Sequence, residues 1–204
     1  MKTFIWDLDG TLVDSYEIIT RHVHAVFSDY LELSKDEIFN LITDTSIRSF
    51  FIETAKEKNL DLKKLYENYM ALESSVLPSD YKLIDGTTEV LSKLEDHQHF
   101  IYTHRGHSTY EIIEENHISK YFIEVVTSDN GFERKPSGQA LNYLVNKYQL
   151  DKENTYYIGD RLLDVLCAND AGVISVYYNP LDKKLDQAKL NINSLLDLLL
   201  IEGV

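Results

Sequence analysis

The stretch "FIWDLDGTLVDS", residues 4–15, sets the apolar run Phe4-Ile5-Trp6 directly against two carboxylates one residue apart, Asp7 and Asp9. A short apolar run bounded by a turn signal reads as a buried strand. Asp9-Gly10 then has two readings: a hairpin turn with Asp7 solvated, or the exit from a core strand. The residues beyond it decide. Ile18, Ile19, His22, Val23, Val26, Phe27 and Tyr30 recur at helical spacing. Asp14 with Glu17 has the three-residue spacing of a capping box, with Asp in place of the usual Ser or Thr. The order is strand, loop, helix, and the hairpin reading loses.

The same alternation continues along the chain. Strands are expected at "HFIYT" (99–103), "FIEVVT" (122–127), "TYYI" (155–158) and "VISVYY" (173–178), the last clear one. Helices are expected after them, one capped by Ser108 with Glu111, one over about 137–148, and one over about 162–171 closed by Gly172. Strands alternating with helices predict an α/β, doubly wound parallel sheet of Rossmann-like form. One interval breaks the rhythm, because the step from Trp6 to His99 takes about 90 residues where a crossover unit needs roughly 30. It reads as helices over 15–31, 35–41, 46–58 and 61–77, with a second capping box at Ser34 and Glu37, a stop at Pro78 and a return helix from Gly86. The expected organisation is a core of 1–14 and 81–204, with an inserted α-helical cap over 15–80. The insert leaves the sheet at the end of the first strand, the edge where open parallel sheets bind ligands.

Bulk properties narrow the function. The 204 residues carry 20 Lys and Arg against 34 Asp and Glu, a formal net charge of -14. That field repels polyanions, so neither nucleic acid nor an anionic membrane is expected as main partner. A small anion remains admissible, since a local cation can reverse the sign inside a cleft. The amino terminus meets acidic residues too soon for a signal peptide, and the longest apolar run, "LLDLLLIEGV" at 195–204, is short and broken by Asp197. A cytoplasmic protein is expected. The single Cys167 sits in a helical pattern and reads as a small buried residue. Nothing in the sequence sets an oligomeric state.

Four polar features fall at or just beyond the expected carboxyl ends of strands: Asp7 with Asp9, Thr103, Lys135, and Asp160 with Asp164. Each alone has an ordinary reading as a turn, a strand-end hydroxyl, a solvated charge or a helix cap. Together, in order on one edge, they read as a site. There is no Gly-x-x-x-x-Gly-Lys loop and no Gly-x-Gly-x-x-Gly. Histidines 97, 99, 104, 107 and 117 are scattered over different segments and read as surface or loop residues, not a metal site.

"DLDGTLVDS" (7–15), "YTH" (102–104), "RKP" (134–136) and "GDRLLDVLCANDAG" (159–172) resemble the four ordered motifs of the haloacid dehalogenase-like phosphohydrolases. The group with a helical cap, which includes phosphoglycolate phosphatases and beta-phosphoglucomutase, looks most similar. The resemblance implies that Asp7 attacks phosphorus and becomes an aspartyl phosphate, while Asp9 protonates the leaving oxygen and then activates water. A carboxylate attacking a phosphate faces repulsion of roughly 4 kcal/mol per charge pair about 4 Å apart at an effective dielectric of 20. The implied remedy is Mg²⁺ held by Asp7, the Asp9 carbonyl, Asp160 and Asp164, with Lys135 as counter-charge and Thr103 holding phosphate oxygens. His104 stands where many relatives have Asn, a position that often binds substrate through its backbone N–H. In the cap, the polar loop Thr43–Ser46 followed by Arg48 lies about where relatives read substrate, although Arg48 reads equally as a solvated helix charge. The expected function is a Mg²⁺-dependent phosphoric monoester hydrolase acting on a small phosphorylated metabolite. A phosphosugar mutase of the beta-phosphoglucomutase type and a non-catalytic binding protein are the alternatives.

Overall fold

The computed structural model describes residues 1–201. Two compact units form: Met1–Asp14 with the segment from Tyr81 onward, and Ser15–Asp80. In chain order the strands are β1 (Thr3–Trp6), β2 (Val13–Asp14), β3 (Lys82–Leu83), β4 (Gln98–Tyr102), β5 (Glu124–Val126), β6 (Thr155–Gly159), β7 (Ile174–Tyr178) and β8 (Leu190–Ile192). The second unit holds α1 (Tyr16–Phe27), α2 (Lys35–Asp44), α3 (Ile47–Lys58) and α4 (Leu62–Glu73). The first holds α5 (Thr87–Lys93), α6 (Ser108–Glu115), α7 (Gln139–Tyr148) and α8 (Leu162–Ala171).

Six strands build one parallel sheet in the order β5-β4-β1-β6-β7-β8. The chain moves outward from β1 through β4 to β5, then returns to the other side of β1 for β6, β7 and β8. β1 is therefore the topological switch strand, and its carboxyl end opens the crevice that such sheets use for ligands. Every residue of β1 and β6 is buried, which is why these strands read as unbroken apolar runs and not as alternation. On one face Ile5, Phe100 and Tyr157 pack with Leu141 and Leu144 of α7 and Cys167 and Ala168 of α8. Gly138 makes that packing possible: a Cβ there would lie 2.6 Å from the Ala171 backbone nitrogen.

Phe4 and Trp6, alternating with Ile5, join a stack of rings, with Phe4 centred 5.5 Å from His99 and 5.4 Å from Tyr156. His99 corrects the expectation of a surface residue, being buried inside β4. Trp6 Nε1 donates to its Nδ1 at 3.1 Å, and its Nε2 faces the Leu94 carbonyl at 2.9 Å. Both ring nitrogens are thus satisfied in the neutral form, and burial pushes the imidazole below its ordinary pKa.

Several boundaries differ from the sequence reading for local reasons. Asp14 does not cap α1; it is extended and pairs with Lys82 across the β2–β3 ladder, so Ser15 takes the cap position without a capping bond. Ser108 lies inside α6, whose cap is His107. The polar loop expected at 43–46 shrinks to Thr45 and Ser46, because α2 runs to Asp44 and Ser46 caps α3 by accepting the Ser49 N–H at 2.9 Å. α4 ends at Glu73, before Pro78, where the Ser74 and Ser75 hydroxyls take the Met70 and Leu72 carbonyls. The Ser34–Glu37 capping box is present, with reciprocal bonds of 2.8 and 3.3 Å. The strand β8 extends the sheet beyond the last one expected, and Leu195–Leu200 forms a 3₁₀ helix, while the final three residues of that apolar run lie outside the described residues. Among the described residues no helix is long and apolar enough to cross a membrane.

The helical unit has its own core of Ile19, Val23, Phe27, Ile38, Ile42, Phe50, Phe51, Leu65 and Tyr69. Phe27 meets Phe50 and Phe51 edge-on at 5.0 and 4.8 Å. Each such buried side chain stabilises the unit by roughly 1.5–3 kcal/mol relative to exposure.

Candidate active site

Asp7 is the first residue past β1, and its N–H still donates to the Ile158 carbonyl at 2.8 Å, so the ladder fixes its backbone. The chain then turns sharply. The N–H groups of Thr11, Leu12 and Val13 converge on the Leu8 carbonyl, and Gly10 takes φ 79°, a left-handed value that costs glycine least. The Asp7 side chain is buried and 2.9 Å from Lys135 Nζ.

Lys135 comes from the loop before α7 and has no exposed side-chain surface. Its ammonium lies 2.7 Å from Asp164 Oδ1 and packs over the rings of Tyr102 and Tyr157, at 5.0 and 5.3 Å from their centres. The His104 ring holds the backbone beneath it, with Nε2 accepting the Lys135 N–H at 2.9 Å. Burial, then the charges of Lys135, Arg134 and Arg161, push that imidazole down to about 2, so His104 is neutral. Asp164, in the first turn of α8, also accepts the Arg161 N–H at 3.1 Å and lies 3.3 Å from the Tyr157 hydroxyl. Gly159 lets it come so close to the strand, because a Cβ there would fall 2.3 Å from Asp164 Cβ.

Asp160 follows β6 and accepts the Thr11 hydroxyl at 3.1 Å. One oxygen each from Asp7, Asp160 and Asp164 lies within 4.8 Å of the others. Oxygens on a single Mg²⁺ at about 2.1 Å are at most about 4.2 Å apart, so the set fits such an ion with little movement. The charge balance points the same way. Burial pushes the Asp7 carboxyl up to about 6, opposed by Lys135 and reinforced by Asp164. Burial alone would lower the Lys135 ammonium, but Asp164 and Asp7 outweigh it and hold it above its ordinary range. Lys135 pairs with Asp7 and Asp164, and Arg161 also acts on Asp7, so three carboxylates stand against two cations and leave room for another.

Thr103, past β4, is buried; its N–H donates to Val126 and its hydroxyl accepts the Arg105 N–H at 3.1 Å. A hydroxyl that accepts in this way can still donate its proton. Asp9 is partly exposed and is gripped by Arg105, whose Nε lies 3.1 Å from each carboxylate oxygen and whose Nη2 lies 2.8 Å from Oδ1.

Residues 4–177 match the family described as haloacid dehalogenase-like hydrolase. The chain belongs to that family. Among its relatives, a phosphoglycolate phosphatase of Vibrio parahaemolyticus is 28% identical, over 86% of this chain and 82% of that protein. The pyrophosphatase PpaX of Oceanobacillus iheyensis is 26% identical, over 85% and 81%. Among solved structures, a hydrolase from Streptococcus pneumoniae is 31% identical with a TM-score of 0.60, over 86% of this chain and 92% of that one.

In this haloacid dehalogenase-like hydrolase the structure brings Asp7, Asp9, Thr103, His104, Lys135, Asp160 and Asp164 to the carboxyl edge of one sheet. Arg48 is an exposed residue in the first turn of α3, within the separate helical unit. The sequence reading missed Arg105, Tyr102 and Tyr157. Arg105 had one legible signal, a basic residue just past a strand on an otherwise acidic edge. The tyrosines had none, since strand tyrosines are common and only the sheet brings their rings under an ammonium.

Proposed function

We propose that the protein is a Mg²⁺-dependent phosphoric monoester hydrolase acting on a small phosphorylated metabolite. The observation that carries this reading is the buried Asp7 carboxylate, paired to Lys135 at 2.9 Å and grouped with Asp160 and Asp164. Asp7 is the nucleophile, attacking phosphorus to form an aspartyl phosphate as the ester oxygen leaves. Lys135 neutralises the nucleophile and the transferring group, and the Thr103 hydroxyl donates to a phosphoryl oxygen. Asp9 gives its proton to the leaving oxygen and then takes one from the water that opens the acyl phosphate.

Asp7, Asp160 and the Asp9 carbonyl, with Asp164 beside them, would hold Mg²⁺, which would supply positive charge to the transferring phosphoryl group. Asp164 serves mainly to aim Lys135, to which it is tied at 2.7 Å. His104 acts through the backbone, its ring being engaged by the Lys135 amide. The unit over 15–80 is the cap, and Arg48 its substrate contact. The names of the relatives support a phosphatase and widen the substrate class to include phosphoric anhydrides.

The test is phosphate release from a panel holding phosphoglycolate, pyrophosphate, sugar phosphates and an aryl phosphate, with Mg²⁺ and with excess chelator. Turnover that requires Mg²⁺ and is lost in Asp7→Asn is the expected result. Full activity in chelator, or in Asp7→Asn, overturns the assignment. Conversion of beta-glucose 1-phosphate to glucose 6-phosphate without matching phosphate release replaces it with a mutase.

A further inference from the structure

Asp9 differs from the other carboxylates of the site in its surroundings. Asp7 and Asp164 are buried beside Lys135, whereas the Asp9 side chain keeps 22% of its surface exposed. A partly exposed carboxylate on a turn has two side-chain torsions to restrict. Proton transfer needs the group within hydrogen-bond reach of a defined oxygen, at a defined angle. Something must therefore fix its orientation.

We infer that Arg105 is the positioning residue of Asp9, setting the plane and direction of its carboxylate for the proton-transfer steps. The guanidinium makes three hydrogen bonds to Asp9, two from Nε at 3.1 Å and one from Nη2 at 2.8 Å. A planar fork on a planar carboxylate restricts both translation and rotation, which a lysine cannot do. Arg105 is itself held. Its side chain is only 7% exposed, its guanidinium lies 4.8 Å over the Tyr81 ring, and its Nη1 is 3.3 Å from the Tyr81 hydroxyl. Its N–H donates to Thr103 Oγ1 at 3.1 Å, and its carbonyl accepts the Ser128 N–H at 3.1 Å. Rigid backbone, stacked guanidinium and forked carboxylate form one chain of contacts from β4 to Asp9. Arg105 serves Asp9 because its Nε and Nη2 are directed at that carboxylate.

This assignment rests on the phosphatase reading, and a double-mutant cycle separates the two. Wild type, Arg105→Met, Asp9→Asn and the double variant are assayed on an alkyl phosphate, whose leaving oxygen needs a proton, and on an aryl phosphate with a good leaving group. Arg105→Met is expected to lower kcat on the alkyl phosphate by about 10–100-fold, with KM little changed and a smaller loss on the aryl phosphate. In the Asp9→Asn background the same substitution is expected to change kcat by less than about twofold, because its effect passes through Asp9. Arg105→Gln, which keeps a planar donor, replaces Arg105→Met should the latter fail to fold. An equal loss in both backgrounds, a loss confined to KM, or no loss overturns the assignment. Wild type that releases no phosphate from any ester overturns the phosphatase reading instead.

Discussion

Asp7→Asn is expected to make the metal-free protein more stable at alkaline pH while removing its activity. In the folded chain burial raises the Asp7 pKa from 3.8 to about 6, even with Lys135 beside it. Between these values the unfolded chain has released a proton that the folded chain still holds. The native state is therefore favoured at low pH, and that contribution is lost as pH rises through about 6. At about 1.4 kcal/mol for each tenfold in proton affinity, the charged carboxylate costs the fold about 3 kcal/mol at pH 8. Asparagine has the shape of the neutral acid and avoids that cost. For a domain of this size each kcal/mol moves Tm by roughly 2–4 °C, so Asp7→Asn should melt up to about 10 °C higher at pH 8 in chelator. The gap should shrink below about pH 6 and vanish below about pH 4. Mg²⁺ should stabilise wild type more than the variant and narrow the gap. Thermal melts across pH, with and without Mg²⁺, test this. A variant that melts no higher than wild type at pH 8 without metal would show that Lys135 compensates the buried charge completely.

Other substitutions probe different contacts. Asp160→Ala should raise the Mg²⁺ concentration for half-maximal activity at least tenfold, read from metal titrations of phosphate release, in line with losses near metal ligands. Gly159→Ala should cost about 1–3 kcal/mol, seen as a lower Tm, and should reduce kcat, because the new methyl displaces Asp164 and with it Lys135. Arg48→Ala should weaken the best metabolite of the panel while leaving a small aryl phosphate nearly unaffected; equal effects on both would return Arg48 to a surface charge.

Local patterns carried the α/β alternation and the direction of the sheet. Hydrophobic period distinguishes Phe4–Trp6 from the helix that follows, and the Ser34–Glu37 box depends on residues three apart. Both are properties of near neighbours, so a single chain declares them. The same logic failed where a distant partner competes. Asp14 has the spacing of a cap, but Lys82, brought back after the helical unit, draws it into a strand instead. His99 looks polar enough for the surface until Trp6 and the Leu94 carbonyl satisfy both of its nitrogens inside the core.

At the candidate site the sequence by itself determined which carboxylates and which lysine follow the strands toward one edge, because residue type and position along the chain are enough for that. Tertiary structure alone decided what each one touches. Lys135 is shared between Asp7 and Asp164 over two tyrosine rings, Asp160 meets Thr11, and Asp9 is held by Arg105. Asp9 and Arg105 stand 96 residues apart in the chain. Their pairing follows from the register of β1 against β4, which sets Trp6 beside Ile101 and so brings the two strand ends together. Register is a sum over packing and hydrogen bonds along the whole sheet, and no short stretch of sequence contains it.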